Sequence, residues 1–349
     1  MHVPIRVLMV TSQWPTPERP HAVPFLVQQV SFIRRAGVEV EVFSFHGGKK
    51  PMNYLRAWRR LRKQLDPSRY DLVHAQFGQS ALLPWPKRMP LVVTFHGDDI
   101  LGEKGEGGRP TLGGKFLQSI SQLISLRADA VIIVSDQMRD FIPSSVPLHL
   151  LPTGVDLDSL PSMPKGVARR QLGLPLEERL VLFVGNPADP YKRYGLAKEA
   201  VDILNRRLSA RLILGWNMPH RDILVLMRAC DAFVMTSHQE GSPTVVKEAL
   251  ACNLPIVSVV VGDVVLRLRG VEGCEVCSDD TPETIAAALE RVLIWGRRTN
   301  GRETVKELDE KVLAEKLIGI YQSVMKISPA DRHYNLPENL NNVWDSRNR

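Results

Sequence analysis

Cysteine is scarce in this chain, with four residues among 349: Cys230, Cys252, Cys274 and Cys277. The last two form CEVC within GVEGCEVCSDD. A single C-x-x-C lacks the second ligand pair that a structural zinc site needs, so buried, reduced thiols are expected. Long hydrophobic runs are missing too. No stretch approaches the roughly 18–20 apolar residues of a membrane span. The start, MHVPIRVLMVTSQWPT, has an apolar run too short for a secretory core and no small-residue cleavage site. These absences predict a cytoplasmic protein, free or peripheral on the cytosolic face of a membrane. The glycine-rich stretch LGEKGEGGRPTLGGKF at 101–116 has no Gly-Lys-Ser/Thr, which excludes a phosphate-binding P-loop. It reads as a mobile loop over a cleft or as a plain connector. No aromatic–basic platform of the RNA-binding kind is present, so no nucleic-acid partner is expected. No solenoid-period repeat occurs.

What is there is a large apolar complement. Hydrophobic residues make up 44% of the chain, enough for a sizeable core, and the length suggests two domains. The net charge of +7 is uneven: residues 1–155 hold 19 Lys+Arg against 12 Asp+Glu, and residues 156–349 hold 26 of each. A basic first half favours an anionic, phosphate-rich partner, whether lipid surface, lipid phosphate or nucleic acid. Continuous Val/Ile/Leu runs at 5–12, 38–45, 71–76, 91–97, 130–135 and 148–154 read as buried parallel strands alternating with helices. After a polar stretch the rhythm restarts at 180–185, 210–215, 231–237, 255–260 and 273–277. The expected organisation is an N-terminal Rossmann-like domain at 1–158 and a linker at 159–178. A second such domain at 179–327 follows, its last helix crossing back to the first domain, and then a polar tail at 328–349. Ligands of such doubly wound sheets bind beyond the carboxyl ends of the strands.

One segment at such an end, SHQEGSPTVVKEAL (237–250), carries two carboxylates. Ser242 suits an N-cap and Pro243 a first helical residue, which predicts a helix from about Pro243 to Cys252. Glu248 then shares a stripe with Val245, Ala249 and Cys252, while Lys247 falls elsewhere. A carboxylate in an apolar stripe wants hydrogen-bond donors, which the two hydroxyls of a ribose supply. The helix N-terminus offers amides and a positive dipole end to a phosphate. Spacing alone leaves the alternative open that Glu240 is a loop residue and Glu248 pairs with a neighbouring Arg.

The pattern SHQEGSPTVVKEALACNLPIV resembles the E-x7-E element of retaining glycosyltransferases of family 4, which have the GT-B fold. YDLVHAQFG, LVVTFHGDD, ADAVIIVSDQMRDFI, LPTGVD, LVLFVGNPADPYKR and RDILVLMRACDAFVMTS resemble further family segments, in the family's order. The resemblance implies two Rossmann-like doubly wound α/β domains facing across a cleft. It places Glu240 near the donor sugar and Glu248 on the nucleotide ribose. Amides around Gly241, Ser242 and Thr244 would meet sugar or diphosphate. His96 would approach the donor, with Asp98 and Asp99 orienting it or touching the acceptor. Lys192 and Arg193 would neutralise the leaving diphosphate, which makes a metal or other cofactor unnecessary. The sequence departs from the family at Asn186, where an arginine is usual, and at Lys192, one residue late. It departs again at Val23, where a glycine is common. DLD at 156–158 matches the Asp-x-Asp metal motif of other transferases but lies in the linker and reads as chance.

A second lipid candidate is YLRAWRRLRKQL (54–65). Tyr54, Leu55, Trp58, Leu61 and Leu65 lie on one face and basic residues fill the rest. Packing on a sheet is the expected use of the stripe, with the basic face free to attract lipid headgroups. The expected protein is therefore a retaining transferase moving sugar from a nucleotide-diphosphate sugar to a glycan or lipid-phosphate-linked acceptor in surface-polysaccharide synthesis. A nucleotide-sugar epimerase on the same fold, or a catalytically silent sugar-nucleotide or nucleic-acid binding protein, stands as the rival.

Overall fold

A computed structural model describes residues 4–48, 50–102 and 111–325. Residues 103–110 of the glycine-rich stretch and all of the polar tail lie outside the described residues. Each apolar run of the sequence contains a strand. The first sheet comprises β1 (Arg6–Thr11), β2 (Glu39–Ser44), β3 (Leu72–Gln76), β4 (Leu91–Phe95), β5 (Ala130–Ile133) and β6 (Leu148–Leu150). The second comprises β7 (Leu180–Val184), β8 (Arg211–Gly215), β9 (Ala232–Met235), β10 (Ile256–Ser258) and β11 (Glu275–Val276). The orders are β2-β1-β3-β4-β5-β6 and β11-β10-β9-β7-β8, with every pairing parallel. Read from β8, the second sheet repeats the order of the first. Each chain path therefore reverses once, between β1 and β3 and between β7 and β9, and each reversal opens a crevice at the strands' carboxyl ends.

The strands are apolar throughout because helices cover both faces. Side chains alternate, so Leu8 and Val10 of β1 join one core with Leu61 from the helix Pro51–Gln64. Val7 and Met9 join another with Leu26 and Ile33. That second core also takes Leu313, Leu317 and Tyr321 from the last helix, Glu310–Val324. Fully buried Tyr321 is 2.7 Å from His74 Nδ1, so this helix is fastened into the first sheet. The basic helix Pro51–Gln64 packs much as its stripe predicts: Ala57 and Leu61 are buried and Trp58 Nε1 donates to the Trp85 carbonyl at 2.7 Å. Leu55 differs, being exposed rather than part of the packed stripe. Among the described residues no helix is long and apolar enough to cross a membrane.

Two crossings join the halves, and they are bonded to each other. Val155 pairs with Asp309; its amide donates to the Leu308 carbonyl at 2.9 Å, and its own carbonyl accepts from the Glu310 amide at 3.0 Å. Both passages between sheets thus form one hinge.

Candidate active site

At the β7/β9 reversal, the loop after β7 supplies Asn186, Lys192 and Arg193, and the loop after β9 supplies Glu240. Lys192 Nζ donates to Glu240 Oε1 at 2.5 Å, both side chains being partly shielded. The Thr236 hydroxyl holds the Lys192 carbonyl at 2.9 Å, and the His238 amide holds the Tyr191 carbonyl at 2.8 Å, so the two loops are laced together. Arg193 adopts a left-handed conformation, φ 50°, just before the helix Tyr194–Leu204. Its guanidinium is bonded to the Thr236 carbonyl at 2.6 Å and paired with Asp280. Arg193 is therefore already engaged within its own domain. Asn186 Oδ1 accepts from the Ala188 amide at 3.0 Å, an Asx turn that uses the side chain to shape its loop.

The helix of the double-glutamate segment runs Thr244–Ala251, one residue later than expected at its start. Pro243 occupies the cap position, and no side chain caps the helix. Ser242 is not the expected cap, because its hydroxyl donates to Asp263 Oδ2 at 2.7 Å. The first helical amides thus stay open to an anion. Inside the helix, buried Glu248 receives a hydrogen bond at Oε1 from His220 Nε2 at 2.7 Å. The partner is a histidine and not the arginine that spacing left open. Burial lowers the His220 pKa, but the bond and charge of Glu248 outweigh it, and the net shift is upward.

Lys247, expected off the buried stripe, is fully buried. Its Nζ donates to the Thr153 carbonyl at 2.9 Å, the Thr153 hydroxyl at 2.8 Å and the Ser242 carbonyl at 3.3 Å. Burial pushes this ammonium down to about 7. The same hinge buries Glu310, whose carboxyl is pushed up to about 8 by burial, with Lys247 as the opposing charge. Lys247 therefore ties the helix of Glu248 to the interdomain crossing.

The first domain meets this site through the loop after β4. His96 Nε2 is 2.7 Å from Gln76 Oε1, and Gln76 Nε2 is 3.0 Å from Gln29 Oε1, which orients the amide. Phe25 and Phe77 flank the ring. Burial, with the charge of Lys247 adding, pushes His96 down to about 3, so it is neutral with Nδ1 as acceptor. Asp99 is buried and, of the two roles expected of it, is seen in the orienting one. Its two oxygens accept the amides of Gly97 at 2.8 Å, Gly78 at 2.9 Å and His96 at 3.0 Å, which shapes the loop. Asp98 is exposed and receives Gln239 Nε2 at 2.5 Å from the opposite domain. Gln137 Nε2 reaches the Glu240 carbonyl at 2.9 Å, also across the cleft. At Gly241 a Cβ would stand 2.2 Å from the His96 carbonyl oxygen, so only glycine lets the domains approach this closely.

The structure thus brings Glu240, Lys192, Gly241, Ser242, Thr244 and Glu248 to one cleft and faces them with the His96–Asp99 loop. His220, Lys247, Gln137 and Gln239 were missed in the sequence. His220, Gln137 and Gln239 could have been noticed because they follow the carboxyl ends of β8, β5 and β9; Lys247, inside a helix, carries no such signal. The Val23 departure has a physical counterpart: this residue sits at φ 42° and ψ 54°, a left-handed conformation that is costly for a β-branched side chain.

Residues 4–159 match the family described as Glycosyltransferase Family 4, and residues 177–307 match Glycosyl transferases group 1. The chain belongs to glycosyltransferase family 4. It is similar to TuaC of Bacillus subtilis, described as a teichuronic acid biosynthesis glycosyltransferase, at 28% identity over 74% of this chain and 72% of that one. It is 28% identical to the D-inositol 3-phosphate glycosyltransferase of Mycobacterium tuberculosis over 60% of this chain, spanning only 51% of that protein. Among solved structures, sucrose-phosphate synthase from Thermosynechococcus elongatus superposes with a TM-score of 0.72 at 18% identity, covering 93% of this chain and 100% of that one. WaaG, a glycosyltransferase involved in lipopolysaccharide biosynthesis, does so at 0.64 and 16% identity, covering 91% and 99%. HepE of Anabaena, solved with UDP and glucose, gives 0.63 at 15% identity, covering 92% and 98%. These likenesses establish the GT-B fold, and the family makes this chain a glycosyltransferase. Nothing in the site or among these relatives favours the epimerase or binding-protein readings.

Proposed function

We propose that this family 4 enzyme binds a nucleotide-diphosphate sugar in the second-domain cleft and transfers the sugar with retention to a glycan or lipid-phosphate-linked acceptor. The observation that carries this reading is the Lys192–Glu240 pair standing beside an uncapped helix start, with Glu248 in the same helix. The uncapped amides of Thr244 and Val245 and the Lys192 ammonium suit a diphosphate. These groups supply positive charge without a metal. Glu248, with one oxygen held by His220, keeps the other for a ribose hydroxyl. Glu240 orients the sugar and keeps Lys192 in place.

In the reaction the C1–O bond to the diphosphate breaks, and the nucleoside diphosphate departs with that electron pair. The acceptor hydroxyl oxygen bonds to C1 on the same face, and its proton passes to the departing phosphate oxygen. Neutral His96 contributes a hydrogen-bond acceptor near the sugar. The likeness to TuaC and WaaG supports a place in surface-polysaccharide synthesis, and the uridine nucleotide in HepE makes UDP the first nucleotide to test. The basic first half suits an acceptor carrying phosphate at the cytosolic leaflet.

Calorimetric titration of UDP, GDP, ADP and CMP in EDTA, on wild type and Glu248→Ala, tests the reading. One diphosphate should bind wild type and bind the variant at least about tenfold more weakly. Equal binding to both proteins, or no binding to either, overturns it.

A further inference from the structure

The helix Leu112–Ser125 stands in the first domain with its bulky apolar side outward. At about 100° per residue, Leu112, Phe116, Leu123 and Leu126 fall within about 40° of one line along it. They are 87%, 69%, 61% and 51% exposed. The opposite side packs inward with Gly114, Ser121, Ile124 and Ser125. A helix of a globular domain ordinarily does the reverse. The orientation is fixed: Gln118 Nε2 donates to the Leu101 carbonyl at 2.6 Å, the Ser121 hydroxyl bonds the Asp99 carbonyl, and Thr111 caps the Gly114 amide at 2.9 Å. Rolling the leucines inward would break all three. Leu82, in the turn packed against this helix, is 41% exposed and extends the face. A contiguous apolar surface of this kind marks an interaction site.

Charge selects the occupant. From Thr111 to Arg127 there is no Asp or Glu, and the only charges are Lys115 and Arg127. At the helix end the Arg127 guanidinium lies over the Trp85 ring at 5.4 Å; Lys87 Nζ donates to the Arg127 carbonyl at 3.3 Å and is paired with Asp129 at 2.8 Å, which leaves Lys115 and Arg127 as the cations of this edge. Arg62 reaches the Pro86 carbonyl at 3.4 Å from the basic helix Pro51–Gln64. An apolar row edged by cations suits an anionic bilayer, whose acyl boundary takes the row and whose phosphates take the cations. A second copy would set like charges against one another.

We propose that this face docks the protein on an anionic lipid surface. Because the helix is bonded to Asp99 and Leu101, docking holds the His96–Asp99 side of the cleft at the bilayer. That suits an acceptor carried by a lipid, if the protein is the transferase proposed above.

The test is co-sedimentation of the full chain with vesicles of phosphatidylcholine alone or mixed with phosphatidylglycerol. The wild type should partition onto the anionic vesicles, more weakly at high salt. Leu112→Ser with Phe116→Ser should lower partition roughly tenfold with an unchanged thermal midpoint. Ile294→Ser, removing an equally exposed apolar residue of the second domain, should partition as wild type. If the double variant misfolds, Lys115→Glu with Arg127→Glu takes its place and should lose the same binding. Absent wild-type partition, undiminished binding of the variants, or an equal loss for Ile294→Ser overturns the proposal. So does a dimer in light scattering that the double variant dissolves without any vesicle binding, which would make the face an interface between copies.

Discussion

Lys192 Nζ and Glu240 Oε1 lie 2.5 Å apart, the lysine from the loop after β7 and the glutamate from the loop after β9. The pair bridges the point where the second sheet reverses. Replacing Lys192 by Met removes charge aimed at a departing diphosphate, and transfer should fall by about 10²–10³ in kcat. Asn186→Ala should lose only a few-fold, because that side chain bonds its own loop. Steady-state kinetics on both variants checks the contrast.

His220 and Glu248 predict a pH dependence of stability. The folded pKa of His220 is raised above the unfolded value of 6.5. Its contribution is therefore fully present below pH 6.5 and is lost as pH rises through the folded pKa. The melting temperature of wild type minus that of His220→Gln should be positive near pH 6 and shrink steadily as the pH is raised. The difference matters because Lys247 and Glu310 titrate in the same range. A difference independent of pH would contradict the assignment.

Lys247 should prove structural to the hinge. Lys247→Met leaves the acceptors of Thr153 and Ser242 without their donor and Glu310 without its opposing charge. A loss of about 1–3 kcal/mol in urea unfolding is expected from the buried acceptors left unpaired. Adding Glu310→Gln should restore part of it, since the uncompensated carboxyl is gone. A double variant no more stable than the single one would show that the two groups do not couple.

Gly241→Ala places a Cβ against the His96 carbonyl oxygen of the other domain. A backbone oxygen cannot swing aside as a side chain can, so the cleft must open. Misplacement by about 1 Å costs transfer about 10²-fold. Nucleotide affinity, set within the second domain, should change little. Parallel loss of affinity and turnover would place the effect elsewhere.

The sheets were legible in the sequence because strands buried on both faces read as unbroken apolar runs. Glu240 and Glu248 drew notice as a carboxylate after a strand and another in an apolar stripe, but spacing left their roles open and the family resemblance supplied them. Lys247 was not legible, since its partners come from Thr153, 94 residues away, and from Glu310. The loop-shaping bonds of Asp99 were not legible, because its neighbours in sequence give no hint that three backbone amides converge on it. The helix Leu112–Ser125 was not legible, since its first turn lies in the glycine-rich stretch that reads as a loop, and which side faces outward depends on Leu101 and Asp99.

The central claim is that the helix Thr244–Ala251 holds the donor. The most direct test is a crystal structure of the protein with the nucleoside diphosphate that calorimetry selects. The account predicts ribose hydroxyls within hydrogen-bond distance of Glu248 and phosphate oxygens on the amides at the helix start and on Lys192. A nucleotide bound elsewhere, with Glu248 still joined only to His220, would contradict it.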